Sequence, residues 1–419
     1  MKNLVIFLTI CIFLFCGCAA KKTGKKITIE FMTPVEISQL NDLTKNIKKF
    51  MKKHPDIAVV ITRGDSRNYE SKIQARIASG TAPDLVFLNS RFFAYFVKNN
   101  IFENLSPYIQ NDNEISLDDY FPESLNFYQF DNGLYALPKG INPVVLAYNK
   151  EQFEQRGLSI PDNKWTWNVF ANAARRLTVD ENNDNIIDNF GCAMPPLHVL
   201  IWQSGGDILS ENFTAAAVNS SHVRQAIQYQ LDLINKYKCT ARPAERADYG
   251  SGEEMFMTKR LSLVFMGHAK IMDFRAHKSL DWDVEIMPGF AEHPRVTFLD
   301  SAGVGILSSC KYKKEAFELL KYYCGTDGVK DRIRSGEQFP AIKKLAYSPL
   351  FLQPEKKPAN HIAFCDSVSF ARNYQKAMNM GRITEAFFDE VTQILEGAKN
   401  IDQGLLNAEK RINEILNNQ

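Results

Sequence analysis

The sequence predicts an α/β protein of two lobes, each a mainly parallel sheet flanked by helices, with crossover hinge strands joining the lobes. The chain has 419 residues, which is long for one hydrophobic core and suits two domains of ordinary size. Strand and helix patterns alternate in its first part. A long apolar run broken by proline and glycine then suggests a strand that leaves the first lobe for the second.

The first part of the chain alternates short apolar runs with helical patterns. The predicted strands are Ile27–Phe31, Ala58–Thr62 and Asp84–Leu88. The predicted helices between them are Leu40–His54 and Tyr69–Ala78. A β-α-β-α-β order favours a parallel sheet that binds ligands beyond the carboxyl ends of its strands. We therefore expect Met32–Glu36 and Asn89–Phe93 to face a cleft.

Crossover segments divide the rest of the chain. Leu134–Asn149 is predicted to cross between the lobes, with Pro138, Gly140 and Pro143 suggesting a hinge. Arg295–Leu307 is predicted to return, and Gly336–Pro340 to cross again. The expected domains are 27–141 with 295–338 for lobe I, and 142–294 with 339–419, including C-terminal helices at Ile383–Leu416, for lobe II.

A strand end, two helices, an acidic turn and a tryptophan before a Gly-Gly loop follow in order from Tyr148 to Asp207. Lys150–Arg156 has helical polarity and is followed by Gly157, while Pro161 prevents the helix from resuming. Asn168–Leu177 carries apolar side chains at helical spacing, and the tryptophans just ahead of it are expected to anchor the helix start.

This ordered set resembles extracellular solute-binding protein family 1, the carbohydrate receptors of bacterial ABC importers, which are maltose-binding-protein-like. The shared pattern is Tyr-Asn-Lys at 148–150, Gly-Leu at 157–158, Trp-Thr-Trp at 165–167, and a tryptophan before Gly-Gly at 202–206. A second similarity is A-S-G-T-A-P-D-L-V-F at Ala78–Phe87. The resemblance covers about Ile27–Leu416 and implies a two-lobed periplasmic-binding-protein-like fold (type II) that closes around a solute.

The N-terminus has the pattern of a signal peptide, expected at residues 1–17. Lys2 supplies a positive charge, Leu4–Phe15 is apolar, and Gly17 precedes Cys18. This arrangement is similar to a lipobox, in which the Cys18 thiol carries a lipid and residues 18–26 form the anchor and tether. Ordinary cleavage near Ala19 or Ala20 is the alternative. A lipid-anchored extracytoplasmic protein, in the periplasm or at the cell surface, is therefore predicted.

Composition excludes some classes of function and leaves the cysteines open. A net charge of +2 without a basic domain gives no support to nucleic-acid binding. Five cysteines remain after Cys18, an odd number, so that one or two disulfides or only buried thiols are possible. They are Cys192, Cys239, Cys310, Cys324 and Cys365.

Trp202 is the foremost candidate for sugar contact, because sugars present C–H faces that pack on aromatic rings. Core packing is its alternative role. Arg91 offers a fork of donors for an anion or vicinal hydroxyls, or is a solvated loop residue. The resemblance implies ligand-facing positions around Gly267 and around Ser301. The candidate ligand-binding residues are Glu36, Asn89, Arg91, Phe92, Lys139, Asn142, Trp202, Gly205, Gly206, Asp207, Tyr249, Gly267, His268, Ser301 and Gly303.

The acidic turn at 180–188 has the alternating oxygen spacing of a calcium loop. Its candidate ligands are Asp180, Asn182, Asp184, Ile186 through its carbonyl, and Asp188. Asn185 and Gly191 depart from the usual loop, so that a hydrogen-bonded Asx turn is the alternative. No cofactor is required on either interpretation.

The sequence favours a binding protein over an enzyme, since it lacks the H-E-x-x-H and G-x-S-x-G patterns. The resemblance implies a monomeric receptor that delivers a sugar, an oligosaccharide on this interpretation, to the transmembrane subunits of an ABC permease. Two alternatives stay open. One is a receptor for another solute, such as a glycerol phosphodiester, and the other is a sensory or structural sugar-binding lipoprotein.

Overall fold

The computed structural model describes residues 26–418 apart from 66–67, 90–92, 185, 248, 337–338 and 375–376. Its strands are β1 (Ile27–Thr33), β2 (Ile57–Arg63), β3 (Leu85–Asn89), β4 (Gln129–Phe130), β5 (Gly133–Leu134), β6 (Leu137–Asn149), β7 (Phe190–Cys192), β8 (Leu261–Gly267), β9 (Trp282–Glu285), β10 (Thr297–Ile306) and β11 (Ala371–Arg372).

Helices cover both parts of the described chain. They are α1 (Ile37–Lys53), α2 (Tyr69–Ala78), α3 (Phe93–Lys98), α4 (Ser106–Gln110), α5 (Pro122–Asn126), α6 (Lys150–Gln155), α7 (Trp167–Leu177), α8 (Leu197–Gln203), α9 (Ser221–Asn235), α10 (Pro243–Ala247), α11 (Gly252–Met257), α12 (Ile271–Ala276), α13 (Lys313–Cys324), α14 (Thr326–Ser335), α15 (Lys343–Ala346), α16 (Pro349–Leu352), α17 (Ile362–Val368), α18 (Met380–Leu395) and α19 (Ile401–Asn417). Over these residues, none of the helices has the length and apolar character of a membrane span.

Nine of the described strands form one mixed sheet in the order β2-β1-β3-β10-β6-β8-β7, with β9 beside β6 and β11 beside β10. β1 is parallel to β2 and β3, and β7 is parallel to β8. β10 is antiparallel to β3 and β6, and β6 is antiparallel to β8 and β9. The crossover strands β6 and β10 are thus antiparallel to each other and to β8, β9 and β3, whereas the short β11 pairs with β10 in parallel.

β6 and β10 carry the chain through the middle of this sheet. The first half of β6 pairs with β10 as far as Pro143, and its second half pairs with β8 from Val144 onward. Proline has no N–H to donate, so Pro143 suits the position where β6 changes partner. The register between the two strands shifts between Ala302 and Gly303, which pair with Gly140 and Pro138, so β6 carries one extra residue, Lys139, at this bulge.

Two groups of buried apolar side chains hold the layers together. The first surrounds β1, β3 and α1 and continues to the segment from Phe339 to Val368. The second joins α7, α8 and α9 to the C-terminal helices α18 and α19. Helical spacing of the apolar residues in α7 and α18 accounts for their buried faces.

The sequence pattern at 148–167 has a structural explanation. The buried Asn149 caps α6, and its Oδ1 accepts a hydrogen bond from the Gln152 amide at 3.2 Å. Thr166 caps α7 by accepting from the Val169 amide. The Trp167 Nε1 donates to Gln203 Oε1 at 2.7 Å, which ties α7 to α8. These residues fix helix starts, as the sequence predicted for the tryptophans.

Candidate functional site

Two cavities take lining residues from β10, Leu299 in one and Asp300, Ser301 and Ala302 in the other. The hinge cavity, of about 190 Å³, is lined by residues of β3, β6 and β10 and by the segment after β8. The aromatic cavity, of about 250 Å³, is lined by residues of the α3 and α5 region, by Leu299, and by residues within 371–374 and 377–384. Asn89, at the carboxyl end of β3, lines the hinge cavity, and this is the position at which α/β sheets bind ligands.

A larger polar cavity of about 600 Å³ lies elsewhere, between the ends of α1 and α13. Its charged side chains already form ion pairs. Lys53 is 2.6 Å from Asp327, and Lys321 is 3.2 Å from Glu318. It takes no lining residue from β6 or β10, so the two cavities along β10 are the better candidates.

Four segments converge on the hinge cavity because of strand pairing. Asp300 of β10 pairs with Asn142 of β6, and Ala302 of β10 pairs with Asn89 of β3. The polar side chains of these three strands are therefore brought close together. The Asn142 Oδ1 accepts a hydrogen bond from the Ala269 amide at 3.1 Å. The predicted residues Asn89, Asn142 and Ser301 all line this cavity.

Gly267 and Gly303 shape the crossing without lining either cavity. A Cβ on Gly267 would lie 2.4 Å from Asn142 Nδ2, so glycine is needed where the Asn142 amide packs. A Cβ on Gly303 would lie 2.5 Å from the Tyr128 ring. The Tyr128 hydroxyl donates to Ser301 Oγ at 3.1 Å, which locks Ser301 beneath the hinge cavity.

Trp202 is buried in an aromatic cluster beside the aromatic cavity. It is 4% exposed, and its ring lies nearly parallel to Phe298 with centroids 6.4 Å apart. Tyr374 contacts the same indole at 5.7 Å between centroids, and its hydroxyl is 3.1 Å from His198 Nδ1. Tyr374 lines the cavity, whereas Trp202 does not. The proposed sugar contact of Trp202 stays a prediction, and the structure makes the indole a support for the wall.

Arg372 is fixed on top of this cluster. Its guanidinium lies 5.1 Å from the centre of the Trp202 ring, and its Nη2 donates to Asp207 Oδ2 at 2.8 Å. The Trp202 Nε1 donates to the other carboxylate oxygen of Asp207 at 3.2 Å. Asp207 therefore holds both the indole and the cation, and it presents Arg372 to the aromatic cavity.

Gly205 and Gly206 end α8 and do not line either cavity. Gly205 has a φ of +89°, a conformation that favours glycine, and its amide donates to Trp202 O at 3.1 Å. The Gly206 amide donates to Ile201 O at 2.9 Å. Both glycines let the chain turn so that Asp207 reaches back beneath Trp202.

His268 lies behind the hinge cavity, 7% exposed. Its Nε2 is 3.1 Å from His361 Nε2, and the planes of the two rings are within 5° of parallel. Phe339, which lines the hinge cavity, packs on His268 with centroids 5.5 Å apart. Burial lowers the pKa of His268 well below its usual value and lowers the pKa of His361 to about 4.

The remaining candidates lie apart from the two cavities or outside the described residues. Glu36 is exposed at the start of α1, and Tyr249 packs against the Arg260 guanidinium at 4.6 Å. Lys139 lies near the hinge cavity, with its Nζ 5.9 Å from the centre of the Phe87 ring. Arg91 and Phe92 lie outside the described residues.

Residues that the sequence did not single out complete the aromatic cavity. They are Ala94, Glu123, Asn126, Phe127, Leu299, Ala371, Arg372, Asn373, Tyr374, Ala377, Met380, Gly381 and Thr384. Arg372 contacts Asp207, from which it is 165 positions distant. No local sequence pattern indicates that two residues so far apart in the chain are in contact. The sequence near Arg372 shows only a polar segment ahead of an amphipathic helix.

The acidic turn forms hydrogen bonds within itself. The Asp184 amide donates to Asn182 Oδ1 at 2.9 Å, and the Ile186 amide donates to Asp184 Oδ1 at 2.8 Å. The Glu181 amide donates to Asp188 Oδ2 at 2.8 Å. Among the residues the structure describes, no group of three or more His, Cys, Asp or Glu side chains is arranged to hold a metal ion. The Asx-turn interpretation accounts for these contacts, and calcium binding stays a prediction.

Comparisons with known proteins agree with this architecture. The profile of the family described as bacterial extracellular solute-binding protein matches residues 37–330. The maltotriose-binding protein of Pyrococcus abyssi is 19% identical over 389 residues, which cover 91% of this chain and 79% of that protein. The multiple sugar-binding protein of Streptococcus mutans is 25% identical over 154 residues, 36% of this chain and only 34% of its own length.

Solved structures share the fold over nearly the whole chain. An ABC substrate-binding protein from Listeria monocytogenes in complex with cycloalternan has a TM-score of 0.82 at 23% identity, covering 94% of this chain and 99% of that one. The cyclic alpha-maltosyl-1,6-maltose binding protein from Arthrobacter globiformis has a TM-score of 0.80 at 17% identity, covering 94% and 100%. With a family match over most of its length and this two-lobed fold, the chain belongs to the bacterial extracellular solute-binding proteins.

Proposed function

We propose that this protein captures a sugar, specifically an oligosaccharide, in the cleft along β10 and delivers it to an ABC permease by hinge closure. One observation carries the proposal. The aromatic cavity has walls from two separate parts of the fold, with Phe127 and Asn126 on one side and Arg372 and Tyr374 on the other. A ligand that contacts both walls stabilises the closed form, which the permease then distinguishes from the open form.

The chemistry of these walls suits a sugar. Phe127 and Tyr374 offer apolar ring surface for the C–H faces of a pyranose. Asn126, Asn373 and Arg372 supply amide and guanidinium groups for its hydroxyls. The neighbouring hinge cavity adds further polar groups, which supports a ligand of more than one sugar unit.

Charge favours a neutral ligand over an anion. Among the described lining residues of the two cavities the cation is Arg372, and it is ion-paired with Asp207. Glu123 lines the aromatic cavity and Asp300 lines the hinge cavity. The carboxylates would therefore repel the negative charge of a phosphodiester. A sugar is compatible with them, because its hydroxyls donate hydrogen bonds to carboxylates.

The relatives support a carbohydrate ligand, since their names specify maltotriose, multiple sugars, cycloalternan and cyclic maltosyl-maltose. We further propose export by a signal peptide at 1–17 and lipid attachment at Cys18, which would hold a monomeric receptor near its permease. Solute capture needs no cofactor and no catalysis.

A thermal-shift screen tests the proposal. The panel contains monosaccharides, linear and cyclic oligosaccharides, a glycerol phosphodiester and calcium. We expect a shift with one oligosaccharide class, equivalent to about 2.7 kcal/mol at a hundredfold excess over Kd. A shift with the phosphodiester alone would replace the sugar by an anion. No shift with any solute would favour a sensory or structural role.

A further inference from the structure

Five cysteines of the described chain are buried, and only two of them touch each other. Cys192 and Cys239 place their Sγ atoms 3.8 Å apart. Each of the other three has a different neighbour. Cys324 Sγ lies 3.6 Å from Leu137 O, Cys365 Sγ lies 3.3 Å from Ala346 O, and Cys310 contacts the Asp84 carboxyl.

The backbones of Cys192 and Cys239 are also joined directly. The Cys192 amide donates to Cys239 O at 3.0 Å. The two residues are therefore adjacent in backbone as well as in side chain. Rotation about the side-chain bonds would bring the Sγ atoms from 3.8 Å toward the S–S bond length of about 2.05 Å.

We infer that Cys192 and Cys239 are joined by a disulfide in the exported protein. In this step the two thiols react with the disulfide of a thiol–disulfide oxidoreductase. One S–S bond forms in the protein and the oxidoreductase S–S bond breaks. The oxidoreductase accepts two electrons and two protons and leaves as a dithiol. Both side chains are fully buried, so oxidation belongs to the folding chain, before the core closes.

The cross-link would join the end of β7 to the segment after α9. It would close a loop of 47 positions that includes α8 and Trp202. Closing a loop of this length restricts the unfolded chain and thereby stabilises the fold. The segment that carries Trp202, which supports Arg372, would then be attached to the sheet by a covalent bond as well as by packing. The inference depends on an extracytoplasmic location and not on the identity of the sugar.

Differential alkylation of the full-length chain, exported from a bacterial host, tests the disulfide. The protein is denatured with iodoacetamide present, then reduced and treated with N-ethylmaleimide, and its peptides are identified by mass spectrometry. We expect N-ethylmaleimide on Cys192 and Cys239 and the iodoacetamide label on Cys310, Cys324 and Cys365. The iodoacetamide label on both Cys192 and Cys239 would overturn the inference.

Two variants provide controls. In Cys192→Ser, Cys239 has no partner and should carry the iodoacetamide label. In Cys365→Ser, Cys192 and Cys239 should both still carry N-ethylmaleimide. Reductant should lower the Tm of the wild type and of Cys365→Ser but not of the Cys192→Ser/Cys239→Ser double variant. If Cys192→Ser does not fold, the wild-type peptide map still decides. A pairing of Cys239 with any other cysteine would also refute the inference.

Discussion

Arg372 takes its position from two contacts of different kinds. Asp207 holds one edge of the guanidinium by a hydrogen bond, and Trp202 lies beneath its face. Sequence reasoning identified Trp202 and Asp207 because a tryptophan before a glycine loop is a local pattern. It missed Arg372 because the contact depends on the return of a distant segment beside β10, where β11 pairs with it. The contribution of Trp202 and Asp207 to this cluster was therefore partly predictable from the sequence, whereas the position of Arg372 was not.

Arg372→Ala should weaken binding of the sugar found in the screen by roughly 1–3 kcal/mol, as for other central contacts. Trp202→Ala should weaken it by a similar amount, because Arg372 then loses its support. If Trp202 acts through Arg372, the double variant should lose little more than either single variant. Isothermal titration of the three variants measures this coupling.

The control for these variants is Arg382→Ala, which removes an equal charge from an exposed position on α18 that lines neither cavity. Its affinity should equal that of the wild type. Unchanged affinity in Trp202→Ala would remove this residue from the site, and fully additive losses would make its contact independent of Arg372.

The His268–His361 pair predicts a loss of stability in acid. His361 Nδ1 donates to Leu352 O at 2.7 Å, so in the neutral pair His268 Nε2 donates to His361 Nε2. The folded state has a lowered pKa at both histidines, whereas unfolded histidine titrates near 6.5. Between about pH 6.5 and 4 the unfolded chain therefore binds more protons. The stability that the neutral pair contributes is retained above this window and is lost as the pH falls through it.

Chemical denaturation at pH 7 and pH 5 measures this effect. His361→Gln should be less stable at pH 7 but lose less stability on acidification than the wild type. His222→Gln, which changes a histidine at an exposed position, is the control and should lose as much stability from pH 7 to pH 5 as the wild type. Equal acid sensitivity of His361→Gln and the wild type would assign the effect to other groups.

At the scale of elements, the sequence located the strands of the first lobe closely. The prediction for α2 matches at Tyr69–Ala78, and the strand predicted at Ile27–Phe31 extends to Thr33. One crossing strand was predicted from Leu134, whereas β5 ends at Leu134 and β6 begins at Leu137. The short β4–β5 hairpin has two-residue strands, too short for an alternating pattern to reveal it.

Gly303→Ala tests the packing of β10. Its Cβ would lie 2.5 Å from the rigid Tyr128 ring, so the strand or the ring must move. We expect a loss of roughly 1–3 kcal/mol in the free energy of unfolding. Gly252→Ala is the matched control, because a Cβ there has contacts no closer than 3.5 Å. Similar stability of both variants, measured by urea denaturation, would contradict this account of the hinge.

The acidic turn gives a second prediction at this scale. Asp184→Ala removes the acceptor of the Ile186 amide and the partner of the Asn182 side chain, and should lower stability by about 1 kcal/mol in chelator. If calcium also binds, it should raise the Tm of the wild type and not of Asp184→Ala. A wild-type melting curve that is the same in chelator and in calcium would exclude a stabilising calcium site.

At the scale of the whole molecule, the two lobes are connected by strands that belong to both of them. The sequence predicted three crossover segments, and proline and glycine marked the first of them, Leu134–Asn149. The strands β6 and β10 confirm a crossing by paired strands at the first two, whereas residues 337–338 of the third, Gly336–Pro340, lie outside the described residues. The lobe boundaries at 141–142, 294–295 and 338–339 stay predictions. One sheet runs through the crossing, and the first group of buried side chains extends from β1 to Val368. Because the hydrogen-bonded strands continue from one lobe into the other, the boundary between the lobes depends on which residues move when the lobes close. No local sequence pattern contains that information.

Closure on ligand is the prediction that belongs to this scale. Sugar should decrease the radius of gyration measured by small-angle X-ray scattering, because a ligand held between Phe127 and Tyr374 favours the closed form. The decrease should saturate at the sugar concentration that saturates the thermal shift. Arg372→Ala should need more sugar to reach the same final radius, since the variant changes affinity and leaves the hinge strands intact. A radius unchanged at saturating sugar would mean that binding does not close the lobes, and the permease would then have to recognise the ligand-bound receptor by another change.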